Sequence, residues 1–245
     1  MLLTDREIIN ICKIRPKDRV LDIGGSMTQH TELKIDTLLD LIRPEEAPYR
    51  PSKLLAKKFV RCDITREKLP FKNKEFDVCL CTHTLEDLPT PFLVMEEMSR
   101  VAKRGLIVTP SMGEDMVFSP IDFTRWLTGA MRSPGQAHHK WFFVNLGKKL
   151  RVIPKVYPIL YTSDFHFTRW SGEKEMVFPW KDKINYEEFK SLSIHDLINE
   201  YEKFKKKNKK YIQTGPVLFF VDNIPNVVKA WAKRIIKRGV GYKFR

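Results

Sequence analysis

Acidic residues and glycines follow the first apolar segments of the chain, where they could bind a small ligand. Asp22 stands just before Gly24 and Gly25. Glycines let the backbone approach a ligand closely because they carry no side chain. Asp40 follows Asp22 by eighteen residues, a position where a carboxylate can accept hydrogen bonds from both hydroxyls of a ribose. This spacing predicts a nucleotide-type site.

The next apolar segment ends in Asp63 and Ile64. The carboxylate can accept a hydrogen bond from an adenine amino group, while the isoleucine packs on the ring. A glycine pair after an apolar segment is often only a turn, so the prediction depends on the order and spacing of the three acidic residues. A nicotinamide site is the main alternative, but it does not account for the segments Leu69-Pro-Phe71 and Phe76-Asp77.

The chain also offers side chains for proton transfer. His83, Glu86 and Asp87 lie close together, and His138 and His139 form an adjacent pair. Histidine suits the role of a general base because its unperturbed pKa lies close to neutral pH. We expect His139, His138 or His83 to be the catalytic base. The alternative for His83 is that it only orders its loop.

The histidine pair has two other interpretations. His138 and His139 can be ordinary loop residues, one of them packed against a tryptophan. They can also bind a metal ion, with Asp164 and His166 as further ligands. We expect no resident metal. The four cysteines are expected to be buried free thiols, because Cys79 and its neighbour two residues later lack the second pair that a zinc site needs.

The elements that must position these residues alternate between strands and helices. A capping box at Thr4 and Glu7 predicts a first helix, and a later helix is predicted between the cap Thr90 and the stop Gly105. This alternation predicts an α/β fold with a parallel sheet, in which ligands bind beyond the carboxyl ends of the strands. The predicted strands are Arg19–Gly25, Ile35–Asp40, Phe59–Asp63, Phe76–Cys81 and Leu106–Val108.

The pattern changes after Pro110. Residues 111–145 show no clean period, which predicts a lid or an insertion that forms the acceptor site. Residues 146–222 are expected to complete the sheet and helices, and residues 223–245 to form a basic amphipathic helix. The elements predicted here are the strands Val152–Tyr161, Glu175–Trp180 and Pro216–Val221, and a helix capped by Ser193.

The run Val20-Leu-Asp-Ile-Gly-Gly-Ser26 resembles the first motif of class I S-adenosylmethionine-dependent methyltransferases. The resemblance covers about residues 15–110, and the later motifs that carry it are Asp63-Ile64 with Leu69-Pro-Phe71, Glu75-Phe-Asp-Val78, Thr82-His-Thr-Leu-Glu-Asp87 and Glu97–Gly105. Two features depart from the family pattern. Ser26 replaces a common third glycine, and the connector from Ser26 to Lys34 has room for only about two helical turns.

The resemblance implies a doubly wound, mostly parallel, seven-stranded Rossmann-like sheet with an insertion after strand five and a C-terminal helix. It implies a single domain over residues 1–245, with its cofactor-binding half in residues 1–110. The implied cofactor is S-adenosylmethionine. The residues that the resemblance assigns to it are Asp22, Gly24 and Gly25 on the methionine side, Asp40 at the ribose, Asp63 and Ile64 at the adenine, and Thr82 and His83 facing the sulfonium.

The resemblance further implies an enzyme that transfers a methyl group. The segment Gly135–Trp141 resembles a His-His-basic-Trp element of uncharacterised methyltransferases from surface-polysaccharide pathways, which favours a hydroxyl of a sugar or other small molecule as acceptor. Methylation of nucleic acid or protein is one alternative, and a non-catalytic binding module with the same fold is another.

The formal net charge of +14 favours anionic partners. We expect a small-molecule or glycan acceptor, and contact of the C-terminal helix with an anionic membrane surface is a further interpretation. Nucleic acid is a weaker candidate, because the sequence contains no recognisable nucleic-acid-binding module. The apolar stretches are too short to cross a bilayer and the first residues lack a signal pattern, so the expected location is the cytoplasm.

Overall fold

The computed structural model describes residues 3–48, 50–119, 133–214 and 228. These residues divide into two compact units. The first comprises the described residues of Met1–Met112, His138–Lys155 and Glu173–Lys190, and the second those of Gly113–Ala137, Val156–Gly172 and Ser191–Arg245. The expected insertion at 111–145 is therefore shared between the units. The single domain over 1–245 stays a prediction.

The strands and helices are numbered here in chain order. The strands are β1 (Val20–Ile23), β2 (Thr37–Asp40), β3 (Lys58–Arg61), β4 (Phe76–Thr82), β5 (Ala102–Pro110), β6 (Phe118–Ser119), β7 (Ser133–Pro134), β8 (Trp141–Asn145), β9 (Leu150–Pro154), β10 (Phe167–Trp170), β11 (Glu175–Lys181), β12 (Tyr186–Glu188) and β13 (Ile212–Thr214). The α-helices are α1 (Asp5–Cys12), α2 (Phe92–Val101), α3 (Tyr157–Leu160) and α4 (Ile194–Lys207).

The main sheet of the first unit has the order β11-β5-β4-β1-β2-β3. All neighbours pair in parallel except β11, which pairs antiparallel with β5. The chain runs outward from β1 to β3 and returns to β4 on the other side of β1. The carboxyl ends of β1 and β4 therefore lie at the switch point, where open α/β sheets bind ligands.

The order of the first five strands confirms the mostly parallel α/β fold. Among the described residues this sheet has six strands, so a seventh is not confirmed. The segment Pro216–Val221, expected to be the last strand, lies outside the described residues. So does the expected helix at 223–245, apart from Val228.

Both faces of the main sheet are covered. All four residues of β1 are buried, as expected for a parallel strand with packing on both sides. Ile8 and Cys12 of α1 belong to the core cluster that includes Val20 and Leu80. Apolar residues of α2 belong to the other cluster, together with the opposite faces of the strands. The helix α1 begins with the expected capping box between Thr4 and Glu7.

Gly105 does not end a helix. The helix α2 ends at Val101, and Gly105 lies within β5 beside Cys79 of β4. A Cβ atom at Gly105 would lie 1.9 Å from the carbonyl oxygen of Cys79. The glycine is therefore needed for the close approach of two strands. The expected cap Thr90 is also wrong, because α2 begins at Phe92 after Pro91.

The expected strand Val152–Tyr161 is divided in the structure. The strand β9 ends at Pro154, and the short helix α3 follows at Tyr157–Leu160. Pro158 lies in the first turn of this helix, where a missing N–H costs no hydrogen bond. The strand expected at Glu175–Trp180 is confirmed as β11.

The first unit also contains the three-stranded sheet β12-β9-β8. The second unit contains the pairs β6-β7 and β10-β13 and the helix α4. Ser193 caps α4 as expected, in a capping box with Asp196. Among the described residues, no helix is both long enough and apolar enough to cross a membrane.

The cysteines are free and buried, as expected. Burial raises the pKa of the Cys12 thiol to about 12 and the pKa values of Cys79 and Cys81 well above the usual range. These thiols are therefore protonated at neutral pH and act as small apolar side chains in the core.

We expect Gly105→Ala to lower the free energy of unfolding by about 2–3 kcal/mol, because the new methyl group forces β4 and β5 apart. Urea denaturation followed by circular dichroism measures the change. Gly147→Ala is the matched control: its Cβ atom would meet nothing within 4 Å, so only the strain of its φ of 85° remains, about 1 kcal/mol. Equal losses in the two variants would contradict the role of close packing.

Candidate active site

A cavity of about 310 Å³ opens at the carboxyl ends of β1, β2 and β4. Most residues that the sequence assigns to a cofactor line it. These are Gly24, Gly25, Asp40, Asp63, Ile64, Thr82 and His83. The structure therefore brings together residues from four separate segments, because parallel strands place their carboxyl ends at one edge of the sheet.

The glycine loop after β1 packs against two polar side chains. Gly24 has a φ of 80°, and a Cβ atom there would lie 2.3 Å from Oγ1 of Thr84. A Cβ atom at Gly25 would lie 2.0 Å from Oδ2 of Asp22. Neither position has room for a side chain. The loop therefore presents bare backbone to the cavity.

Asp22 lies behind this loop and is not among the residues that line the cavity. Its side chain is buried, and its Oδ1 atom has no hydrogen-bond partner in the described part of the chain. Burial raises the pKa of Asp22 to about 6, although the nearby His30 opposes this shift. Asp22 therefore supports the glycine loop from behind, and its contact with the methionine side of a cofactor stays a prediction.

His30 and Asp5 form a buried pair beside Asp22. Nδ1 of His30 lies 2.6 Å from Oδ1 of Asp5, whose Oδ2 atom accepts hydrogen bonds from the backbone N–H groups of Thr31 and Glu32. Instead of the short helix that the sequence allows, one 3₁₀ turn at Gly25–Met27 follows β1. The Asp5–His30 pair fixes the rest of this connector to the first helix.

Asp40 organises the adjacent wall of the cavity. Its Oδ2 accepts a hydrogen bond from the backbone N–H of Ser26 at 3.0 Å, and its Oδ1 accepts one from that of Leu41 at 2.6 Å. Oγ of Ser26 donates to the carbonyl of Ile42 at 2.7 Å. The serine in place of a third glycine thus ties the loop after β1 to the end of β2. Oδ1 also accepts a longer hydrogen bond from the backbone N–H of Ile42 at 3.5 Å, so Oδ2 is the carboxylate oxygen of Asp40 that keeps a lone pair for a ligand hydroxyl.

Asp63 and Ile64 form the wall that follows β3. Oδ1 of Asp63 accepts hydrogen bonds from the backbone N–H and the hydroxyl of Thr65. These hydrogen bonds lower the pKa of Asp63, so its carboxylate is ionised at neutral pH. Ile64 is buried at the cavity wall. The pair therefore offers a charged acceptor next to an apolar surface.

His83 lies directly after β4 with a φ of 51°. Its Nε2 lies 2.7 Å from Oε1 of Glu175, and its Nδ1 lies 3.6 Å from Oε1 of Glu86. Burial lowers the pKa of His83, but the hydrogen bond to Glu175 and the charge of Glu86 outweigh it and raise the pKa to about 9. His83 is therefore an imidazolium at neutral pH. A cation can donate a hydrogen bond to a ligand but cannot accept its proton, which favours a binding role for His83 over that of a base.

His138 and His139 do not line the cavity, but both approach Asp87, which does. Nε2 of His138 lies 3.5 Å from Oδ1 of Asp87, and Nε2 of His139 lies 3.7 Å from the same atom. The side chain of His139 is 6% exposed and that of His138 is 62% exposed. The two histidines therefore reach the edge of the cavity through one shared carboxylate.

The alternative metal ligands His166 and Asp164 belong to the second unit. There His166 is buried and stacks on Phe118 with 4.0 Å between ring centroids, and Asp164 is exposed.

Several residues of the site are not among those that the sequence assigns to the cofactor. Glu175 holds His83 from the antiparallel edge strand, 92 residues away in the chain. Thr84 supports the glycine loop, and its place beside Thr82 in the same short polar run is a signal that could have found it. The further cavity residues are Met27, Thr28, Leu41, Ile42, Cys62, Thr65, Thr84, Asp87 and Leu88.

Comparison with known proteins finds one family model that part of this region matches. Residues 31–109 match the model of a methyltransferase domain. The matched methyltransferase domain contains every residue that lines the cavity except those of the glycine loop and the turn after it. No curated protein matches the chain.

Solved structures that the chain resembles include S-adenosylmethionine-dependent methyltransferases from three organisms. The Mesorhizobium loti protein is 15% identical, with 47% of this chain and 59% of that chain covered and a TM-score of 0.34. The Aquifex aeolicus protein is 18% identical, with 44% of this chain and 65% of that chain covered and a TM-score of 0.32. The Methanosarcina mazei protein is 19% identical, with 40% of this chain and 55% of that chain covered and a TM-score of 0.31. The matched part spans less than two thirds of each of these proteins.

The raised pKa of His83 predicts a pH-dependent stability. In the unfolded chain the pKa returns to about 6.5, so the ion pairs stabilise the fold fully below that pH and are lost as the pH rises through about 9. We therefore expect the difference in free energy of unfolding between wild type and His83→Gln to shrink between pH 6.5 and pH 9.5. Urea denaturation at a series of pH values measures it.

Gln213→Ala, which changes an exposed side chain without a titratable group, is the control and should give a constant difference. A constant difference for His83→Gln as well would contradict the ion-pair assignment.

Proposed function

We propose that the chain transfers a methyl group from S-adenosylmethionine to a small acceptor. One observation carries the proposal: the cavity at the switch point of the sheet is formed largely by the matched methyltransferase domain. The residues around it have the chemistry that this donor requires. They supply hydrogen-bond acceptors for hydroxyl groups and for an amino group, and the glycine loop supplies bare backbone.

The residues of the cavity fit the donor in three parts. Asp40 would accept a hydrogen bond from a ribose hydroxyl through the remaining lone pair of its Oδ2 atom. Asp63 would accept one from the adenine amino group, with Ile64 against the ring. The backbone of Gly24 and Gly25 would lie along the methionine part, since a Cβ atom at either glycine would strike a neighbouring side chain.

The bound donor supplies a methyl group that is activated by its sulfonium. The chain must position the acceptor oxygen in line with the departing sulfur and provide for loss of the hydroxyl proton. Thr82 and His83 line the cavity at the end of β4, where the reacting centre is expected. His139 and His138, beside Asp87, are the proposed groups on the acceptor side.

We propose a hydroxyl of a sugar or other small molecule as the acceptor, in glycan or related biosynthesis. The support is the sequence resemblance of Gly135–Trp141 and the position of His138 and His139 next to Asp87, at the edge of the cavity. Methylation of nucleic acid is the competing proposal, motivated by the charge of +14. Transfer to nucleic acid that falls steeply with added salt would favour it.

We expect the wild-type chain to bind S-adenosylmethionine in isothermal titration calorimetry, and Asp40→Asn to weaken binding at least tenfold. The substitution removes the charge and one of the acceptors that face the ribose hydroxyls. Asp182→Asn, an exposed position with a φ of 62°, is the matched control and should bind like wild type. Absence of binding by the wild type at millimolar donor would overturn the proposal and leave a non-catalytic module.

We expect His139→Ala to retain binding of the donor and to lose methyl transfer, because His139 lies outside the donor cavity. Transfer is measured with labelled donor in a fractionated lysate, and the labelled fraction identifies the acceptor. Equal loss of donor binding in His139→Ala and Asp40→Asn would show that the two sites are not separate.

A further inference from the structure

We propose that Asp87, His138 and His139 bind a divalent transition-metal ion, best fitted by Zn²⁺, at the edge of the cavity. The sequence alone favours no resident metal, and the proposal depends on three features of the structure. These features are the spacing of the ligand atoms, the hydrogen bonds that hold the segment in place and the chemistry of the donor set.

The spacing of the candidate ligand atoms suits a metal ion better than a hydrogen-bonded cluster. Oδ1 of Asp87 lies 3.5 Å and 3.7 Å from Nε2 of His138 and of His139, and one atom from each residue can be chosen so that all three lie within 4.8 Å of one another. Two ligands of a tetrahedral zinc ion, each at about 2.0–2.1 Å, stand roughly 3.4 Å apart. His138, whose side chain is 62% exposed, is the ligand with the most room to adjust its position.

The two histidines are held in place by their neighbours. The backbone N–H of Lys140 donates to the carbonyl of Glu86 at 2.7 Å, and Nε1 of Trp141 donates to the carbonyl of Leu88 at 2.9 Å. The Lys140 ammonium donates to the backbone carbonyl of Asp87, not to its carboxylate. The segment that carries the histidines is thus joined on both sides of Asp87 to the turn after β4. Little ordering is left for the metal to impose.

The donor set selects the class of metal. Two imidazoles and one carboxylate suit zinc and similar transition ions, whereas Mg²⁺ and Ca²⁺ prefer oxygen ligands. Three protein ligands leave a fourth position open, which is the arrangement of catalytic zinc sites.

The local charge also favours a cation. Oδ1 of Asp87 is buried and accepts no hydrogen bond from the described residues. A bound cation would compensate the carboxylate of Asp87 directly.

One consequence rests on the proposed function, whereas the metal site itself does not. A metal ion at Asp87 would bind the acceptor hydroxyl at its open position and lower the pKa of that hydroxyl. The hydroxyl proton would leave to water, the oxygen would form its bond to the methyl carbon, and the carbon–sulfur bond would break. His138 and His139 would then act as metal ligands and not as bases.

Zinc titration of the full chain tests the site. The protein is treated with EDTA, dialysed and titrated with Zn²⁺ by calorimetry in the absence of methyl donor. We expect one equivalent to bind, and Asp87→Asn and His139→Ala each to weaken binding at least tenfold. His195→Ala, which removes an exposed imidazole of α4, should bind like wild type. Wild-type affinity in both Asp87→Asn and His139→Ala, or no binding by the wild type, overturns the proposal.

Two further measurements guard this test. If circular dichroism shows that the buried variants do not fold, His138→Ala replaces them in the test. It changes an exposed side chain and should also weaken zinc binding. Co²⁺ in place of Zn²⁺ should give the absorption of a tetrahedral nitrogen and oxygen site without a thiolate band. A thiolate band would mean that a cysteine binds the metal, and the proposal would fail.

The outcomes separate the metal site from the methyl-transfer proposal. Zinc binding without binding of S-adenosylmethionine would leave the metal site standing and remove the proposed function. Donor binding without zinc binding would do the reverse. If both bind, loss of transfer on treatment with EDTA and its recovery with zinc support the role in acceptor activation, and transfer that is unchanged by EDTA contradicts that role.

Discussion

The parallel pairing of β1 between β2 and β4 is the constraint on which the site depends. The chain leaves this central strand in one direction and returns on its other side, so no crossover covers the carboxyl ends of β1 and β4. The backbone N–H of Gly24 donates to the carbonyl of Leu39 at 2.8 Å and holds the loop open. The cavity is thus a consequence of strand order, and the polar side chains at its edge supply the groups that could hydrogen-bond to a ligand.

Residues whose position follows from local pattern could be predicted from the sequence. Asp40 and Asp63 each end an apolar segment, and the carboxyl ends of parallel strands meet, so their shared cavity follows. Asp22 has the same pattern, yet its side chain turns into the core behind Gly25. Gly105 follows a predicted helix and therefore resembles a helix stop. The residue that excludes a side chain there is Cys79, 26 residues earlier in the chain, which no local pattern indicates. The side of a strand that a residue faces, and the neighbour it touches, depend on packing that no short pattern encodes.

The acidic partners of the histidines illustrate the same limit. Glu175 reaches His83 only because β11 joins the sheet antiparallel to β5. The histidine pair reaches Asp87 because Lys140 and Trp141 bind the backbone of the turn after β4. Both arrangements bring together segments about 50 to 90 residues apart in the chain. Their effect is local: His83 is held as a cation at the cavity wall, whereas the histidine pair shares one carboxylate.

The buried thiols also allow local unfolding of the first unit to be followed by chemical labelling. The four protected sulfurs lie in three parts of the first unit: Cys12 in the first helix, Cys62 at the end of the third strand, and Cys79 with Cys81 at the centre of the sheet. An alkylating reagent can reach a given sulfur only when its surroundings separate from it. The order in which the cysteines become labelled would therefore report which layer of the fold separates first, without the introduction of any foreign probe.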